Sequence, residues 1–338
     1  MSVFEGEPLS TRPLAFAALN AALKAAGEAT RLRILALLAE AELTVSDLTD
    51  ILRQSQPRIS RHLKLLAEAA LIARFREGSW AFFRLGERGG NTELARALIA
   101  RLDPDDPVIA RDRERLAAVR AARAAAAQSY FRRHAAEWDR IRKLHIADAS
   151  VEVAIRAALA DKPFRSLLDL GTGTGRMLEL FGPEIERGLG LDLSHDMLAL
   201  ARARLDRAGL RHCSVRQGDI YDLAVPKDSF DVVIIHQVLH FLDDSARAIA
   251  EAARVLRPGG RLLVVDFAPH DLEFLRDEHA HRRLGFAPET VTQWLTAAGL
   301  DVLRQQSLAP EQNSGGKIAV SLWLGRDPRI AIAEREVA

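Results

Sequence analysis

Apolar positions recur every three to four residues at Val45, Leu48, Ile51 and Leu52, and again at Ile59, Leu63 and Leu66. Each set is the stripe of a short amphipathic helix. Thr44 stands three residues before Asp47, a capping-box-like start for the first helix. The tripeptide RQS joins the two, with Ser55 placed to cap the second helix and Pro57 in its first turn. A turn at REG and the apolar, aromatic run SWAFFRL then predict a small ribbon, closing a region from residue 13 to about 90. Residues 91 to about 160 are rich in alanine and arginine and helical by propensity, broken once at Asp103–Pro107. From Ser166 the period changes. Short apolar runs (SLLDL, GLGLDL, FDVVIIH, RLLVVDF) alternate with helical segments, which predicts a mostly parallel sheet with crossover helices. DVLRQQSL and KIAVSLWL flank Gly315-Gly316 and predict an antiparallel pair closing the sheet edge, with a frayed tail after Arg326.

The predicted organisation is therefore two domains: an N-terminal α+β domain over 1–90 and an α/β domain over 151–326. A helical linker over 91–150 joins them, and a tail covers 327–338. A length of 338 residues with 48% apolar content suits two buried cores. No apolar run reaches membrane-spanning length and no signal peptide is evident, so a soluble cytoplasmic protein is expected. The single cysteine, Cys213, excludes an internal disulfide and any multi-cysteine metal site within one chain. Net charge is only +1, but its distribution is uneven. Arg53–Arg88 carries eight Lys/Arg against three Glu, and Arg111–Lys143 carries ten basic residues against four acidic. Both are candidate polyanion footprints, the second also being readable as a solvated helix face.

Two short helices joined by a tight turn form a helix-turn-helix, whose second helix enters the major groove N-terminus first. On that basis Gln56, Arg58, Ser60 and Arg61 would reach base edges, with His62 and Lys64 nearer the phosphates. Arg74, Arg76 and Arg84 on the ribbon would touch flanking backbone or minor groove. An ordinary helical hairpin would share the shape. The segments EATRLRILALLAEAELTVSDL, SQPRISRHLKLLAEAALI and REGSWAFFRL go further: in order, over residues 13 to 90, they resemble the winged helix-turn-helix of ArsR-family repressors. That resemblance implies a homodimer on a two-fold-symmetric, double-stranded operator. Metal-sensing relatives often carry a cysteine pair where this chain has Thr44 and Ser46, and hydroxyls are poor ligands for soft metals. No metal site is expected in the reader.

LLDLGTGTGRML runs from an apolar strand into Gly171, Gly173 and Gly175 and then a helix. Alone, such a loop can mean only a tight strand-to-helix turn. Asp192 follows at the end of the second strand, where a carboxylate can accept both hydroxyls of a ribose, and QGDIYDL sets Asp219 and Ile220 after the third strand, suited to adenine. Arg176 replaces the last glycine of a dinucleotide fingerprint, which disfavours NAD. Over residues 130 to 325 the ordered set resembles class I S-adenosylmethionine-dependent methyltransferases that act on small molecules. The resemblance implies that Asp169 and the three glycines hold the methionine end, Asp192 the ribose, and Met197, Asp219 and Ile220 the adenine. It also makes SYFRRHAAEWD a helix closing over the cofactor, with Tyr130, Phe131 and Trp138 as candidates; core packing is the alternative. His236, with Tyr130 and Phe131, is a candidate for the wall at the methyl position.

Two further groupings are weaker. His236 and His240, four apart, could face one metal from a helix, with Asp243 and Asp244 following; strand-end packing is the favoured alternative. The run Asp277–Phe286 gathers His279, His281, Arg282 and Arg283, which could bind an acidic substrate or supply a general base. A charged helix face is the plainer explanation. The catalytic candidates are thus His236, His279 and His281.

Methyl transfer from a sulfonium depends on alignment and exclusion of water, so cofactor motifs do not separate an enzyme from a ligand sensor. A reader without its own effector site, joined by a helical segment to a nucleoside cradle, resembles S-adenosylhomocysteine-responsive regulators of methionine and methyl-cycle genes. The first expectation is a dimeric repressor whose cradle senses S-adenosylhomocysteine or S-adenosylmethionine. The second is an active small-molecule methyltransferase with an autoregulatory DNA-binding domain. The third is a reader that serves only to dimerise.

Overall fold

The computed structural model describes residues 13–77, 80–86, 90–134, 148–308 and 318–330. The chain divides into two compact units between Ala124 and Ala125.

In the first unit, α1 (Phe16–Ala26), α2 (Ala29–Glu40), α3 (Val45–Leu52) and α4 (Gln56–Glu68) precede a ribbon of β2 (Ile72–Glu77) and β3 (Trp80–Leu85). A two-residue strand, β1 (Leu43–Thr44), pairs antiparallel with β3, giving the order β1-β3-β2. The capping box at the start of α3 is present in both halves. Thr44 Oγ1 accepts from the Asp47 N–H at 3.2 Å, and Asp47 accepts from the Thr44 N–H at 2.8 Å. α3 ends on Arg53 in the left-handed region (φ 55°), and α4 starts from extended Ser55, so the chain reverses within three residues. Leu48, Ile51, Ile59, Leu63 and Leu66 are fully buried with Ile34, Leu35 and Leu71. Each such side chain contributes about 1.5–3 kcal/mol relative to exposure. α5 (Gly90–Ile99) follows, and the break predicted at Asp103–Pro107 separates it from α6 (Pro107–His134). The boundary between the units lies inside this 28-residue helix.

The second unit contains α7 (Asp148–Leu159) and a seven-stranded sheet. Its strands are β4 (Ser166–Leu170), β5 (Arg187–Asp192), β6 (Cys213–Gln217), β7 (Phe230–His236), β8 (Leu256–Phe267), β9 (Asp301–Leu308) and β10 (Val320–Arg326). They lie in the order β6-β5-β4-β7-β8-β10-β9, parallel from β6 to β8, with β10 antiparallel to both β8 and β9. The strand order reverses beside β4, between β5 and β7, and that reversal opens a crevice at the strands' carboxyl ends. Near-continuous apolar strands such as β4 and β7 are those expected of a sheet covered on both faces. One core packs α7, α8 (Arg176–Phe181) and α9 (His195–Arg207) on one face. The other packs α10 (Ser245–Arg254) and α12 (Pro288–Ala297) on the opposite face. A short helix, α11 (Phe274–His279), lies beyond β8.

The tail differs from expectation. Asp327 is buried, and Arg329 bonds Asp327, Asp228 and the Leu256 carbonyl, so residues up to 329 are fastened to the sheet's amino-terminal edge. The Gly315-Gly316 turn lies outside the described residues. Among the described residues no helix is long and apolar enough to cross a membrane.

Candidate functional site

The reader face is built by the alternation along α4. Gln56, Arg58, Ser60, Arg61 and Lys64 are exposed, while Ile59, Leu63 and Leu66 are buried. One helix thus presents a polar, cationic face away from its core. His62, expected near phosphates, is instead turned inward. It is 9% exposed, its Nδ1 lies 3.6 Å from Glu28, and burial lowers its pKa. On the ribbon, Arg74 and Arg76 are exposed, but Arg84 is held by Glu42 at 3.3 Å and lies over the Phe75 ring. The outward-facing candidates are therefore one helix face and two ribbon arginines.

Behind α3 the arginines of α6 form a clamp that sequence reasoning did not find. Arg123 pairs with Asp47, the same carboxylate that caps α3. Arg115 donates to the Ile51 carbonyl at 3.0 Å, near the other end of α3. Arg113 and Arg120 bond the Glu40 side chain and carbonyl at the end of α2, and Arg33 makes a two-point bond to Asp112 with both distances 2.6 Å. The only signal in sequence was the basic excess of this segment, which is equally that of a solvated face.

The glycine loop follows β4. Gly171, Gly173 and Gly175 have φ of 69°, 52° and 82°, the left-handed region that side chains rarely adopt. At Gly171 an added Cβ would stand 2.4 Å from Val238, and Gly175 caps α8 against Ala201. The loop is stitched to its neighbours. Asp169 accepts from Thr172 Oγ1 at 2.6 Å, and the N–H groups of Gly171 and Thr172 donate to the Leu191 carbonyl. Asp192 ends β5, and its two oxygens accept from the N–H groups of Gly173 and Ser194, each at 2.8 Å. Burial raises its pKa although these backbone donors pull the other way. A carboxylate oxygen has lone pairs for a second donor, so Asp192 can accept ribose hydroxyls while it holds the loop. Met197 and Ile220 are buried and Asp219 is exposed, accepting from the Tyr221 N–H. A carboxylate beside a loop with glycine at every second position, at the switch point, fits an adenosyl ligand: the glycines leave room for backbone approach and Asp192 supplies the acceptors. Arg176, in the place of a fourth glycine, is paired with Glu152 and Glu179.

Beside the loop lies a histidine-rich cluster. His236 is the last residue of β7 and His240 sits in a 3₁₀ turn, Leu239–Phe241, so the two do not share a helix as a metal pair would. His240 Nδ1 is 2.7 Å from Asp266 Oδ1 near the end of β8. Its ring lies 4.3 Å from His281 and 4.7 Å from Phe267. The Tyr130 hydroxyl meets His279 Nδ1 at 2.6 Å, and Phe131 stands edge-on to Phe241 at 4.8 Å. Burial pushes the Tyr130 phenol up to about 12 and the His270 imidazole down to about 4, the latter with help from His240. Asp277–Phe286 is not a charged helix face. Helix α11 stops at His279, Arg276 and Arg283 are buried, and Arg282 pairs with Asp243 at 2.6 Å. Asp244 is spent on capping α10. The His240–Asp266 pair was missed as such; an acid inside the apolar run VVDF was its visible trace. Trp138 lies outside the described residues.

A profile for bacterial regulatory proteins of the arsR family matches residues 28–74, and one for a methyltransferase domain matches residues 168–264. The uncharacterized methyltransferase YcgJ of Bacillus subtilis is 31% identical over 176 residues, 51% of this chain and 68% of that protein. A phosphatidylethanolamine N-methyltransferase of Cereibacter sphaeroides is 32% identical over 43% of this chain and 74% of its own length. The putative methyltransferase in complex with the Trm112 activator of Haloferax volcanii shares the fold, at 25% identity and a TM-score of 0.51, over 60% of this chain and 98% of that one. With its glycine loop, its strand order and these relatives, the chain belongs to the class I S-adenosylmethionine-dependent methyltransferases, and it bears an ArsR-family helix-turn-helix ahead of that domain.

Proposed function

We propose that the protein is a one-component transcriptional regulator in which an adenosyl metabolite on the methyltransferase-like domain sets the affinity of the helix-turn-helix for its operator. The observation that carries this is α6. Its stretch up to Arg123 clamps α3 through Arg115 and Arg123, and its last two turns bring Tyr130 and Phe131 onto His279 and Phe241. One unbroken helix therefore joins the scaffold of the reader to residues around the cradle. Asp192 and the loop from Gly171 to Gly175 hold the ribose and methionine ends, and Met197, Asp219 and Ile220 the adenine. Bound S-adenosylmethionine supplies an electrophilic methyl group; the homocysteine form has neither that group nor the positive sulfur.

The reader acts as a homodimer. Phe16, Leu19 and Leu23 form an exposed apolar stripe on α1 in support of this. Gln56, Arg58, Ser60 and Arg61 read base edges, and Lys64, Arg74 and Arg76 contact the backbone. The regulated genes belong to the methionine and methyl cycle, and the protein works in the cytoplasm. A coupling of about 1–3 kcal/mol, or roughly 5–150-fold in DNA affinity, is usual for such switches. The test is fluorescence anisotropy on duplex from the protein's own promoter, titrated with S-adenosylhomocysteine and with S-adenosylmethionine. At least one must shift the binding curve, and Asp192→Ala must abolish the shift; flat curves with both ligands end the proposal. A second reading, an active methyltransferase, is favoured by one observation, the His240–Asp266 pair.

A further inference from the structure

The side chains of His240 and Asp266 are 2% and 0% exposed, an acid and an imidazole taken out of water together. An ion-forming pair in that position is weak support for a fold, because two apolar side chains of the same volume stabilise as well or better. Their place is informative. His240 follows the carboxyl end of β7, two residues past the Val238 that packs on Gly171, and Asp266 stands near the carboxyl end of β8. Parallel α/β sheets bind their ligands at that edge. The hydrogen bond also has a direction. With Nδ1–H donated to Asp266, neutral His240 carries its basic lone pair on Nε2, and the carboxylate stabilises the imidazolium that forms when Nε2 takes a proton.

The surroundings define what would give up that proton. Phe241, Phe267 and His281 pack around the imidazole at centroid distances of 4.0, 4.7 and 4.3 Å, and Phe131 continues the wall over Phe241. Such faces take a planar ring. The charged and titratable groups nearby have partners of their own. Arg282 is neutralised by Asp243, Arg282 and Arg283 meet His240 through backbone N–H groups donating to its carbonyl, and burial keeps His270 uncharged. His279 is engaged by Tyr130.

We infer that His240 is a general base, oriented by Asp266, for methylation of a hydroxyl on a planar aromatic acceptor. This rests on the reading that the adjacent cradle holds the adenosyl sulfonium. His240 Nε2 takes the hydroxyl proton. The acceptor oxygen forms the new bond to the methyl carbon as the carbon–sulfur bond breaks, and that electron pair stays on sulfur as a neutral thioether. The His240 side chain is 2% exposed, so methylation requires the rings packed on it to be displaced before an acceptor meets Nε2. Asp266 is a positioning residue.

The test uses the full chain, 4-nitrophenol as probe, and S-adenosylhomocysteine as a partner that does not react. Calorimetry first establishes that S-adenosylhomocysteine binds; no heat removes the cradle reading and this inference with it. With the ligand bound, the probe should show its phenolate absorption at a pH where the free probe is largely protonated. His240→Gln should abolish that signal, and Asp266→Asn should reduce it severalfold, because the imidazolium loses its counter-charge. Both variants should melt cooperatively and still bind S-adenosylhomocysteine. With labelled S-adenosylmethionine, methylation of the probe should fall about a hundredfold or more in His240→Gln. If S-adenosylhomocysteine binds to wild type and variants alike while the probe's spectrum is indifferent to His240, the pair is a structural pin and the inference is overturned.

Discussion

Gly171 shows how much of the site is decided by one missing methyl group. Its φ of 69° disfavours any side chain, and a Cβ would meet Val238 Cγ2 at 2.4 Å. Gly171→Ala combines left-handed strain with overpacking and should lower stability by about 2–4 kcal/mol. Thermal melts should show the loss, and calorimetry should show adenosyl-ligand binding weakened beyond it. His270 offers a different handle. Its imidazole is pushed down to about 4 from an ordinary 6.5, first by burial and then by His240. Because the folded value is the lower one, the unfolded chain takes up the proton first as pH falls. Stability from this residue is whole above about pH 6.5 and is lost progressively toward pH 4. Melting temperatures between pH 7 and pH 5 should therefore fall less steeply in His270→Gln than in wild type. Residues of the glycine loop were legible in the sequence because φ above zero has a strong residue preference. His240 was not, because its role depends on Asp266, twenty-six positions away, and only the pairing of β7 with β8 brings them together.

At the scale of elements, the helix-turn-helix could be read from its stripe and caps. Ile59, Leu63 and Leu66 were placed inward by spacing, and Arg58 and Arg61 outward. The spacing did not place His62, which sits at the edge of the stripe and is drawn in by Glu28. The double variant Arg58→Ala, Arg61→Ala should keep its fold, since both side chains are exposed. It should lose most operator affinity, about 1–3 kcal/mol per side chain, and discriminate less between operator and unrelated duplex, because both side chains are assigned to base edges. Unchanged affinity in that variant would favour a reader that only dimerises. The clamp on α3 is a separate matter. Composition marked 111–143 as basic, yet the partners of Arg113, Arg115, Arg120 and Arg123 are carboxylates and carbonyls of α2 and α3. Arg123→Ala removes the partner of the Asp47 carboxylate, which keeps its capping bond to Thr44. It should leave ligand and operator binding each within severalfold of wild type while shrinking the effect of one on the other. Anisotropy titrations with and without ligand measure that difference directly.

Across the whole molecule, the order of segments carried most of the fold. An α-helical reader with a ribbon, an alanine-rich helix and an alternating α/β half are distinct in hydrophobic period, and that period alone distinguishes their classes. The position of β10 between β8 and β9 was less legible, since a sequential hairpin and an inserted antiparallel strand share one pattern of residues. So was the ordered stretch up to Arg329, whose polar composition reads as a tail until Asp228 and the Leu256 carbonyl are found beside it. The proposed coupling between ligand and operator is reciprocal: if ligand changes operator affinity, operator changes ligand affinity by the same factor. The most direct measurement is the dissociation constant of S-adenosylhomocysteine, by calorimetry, on free protein and on protein saturated with operator duplex. Coupling through α6 requires the two constants to differ by roughly 5–150-fold, matching the shift in operator affinity; equal constants on free and DNA-bound protein would contradict it.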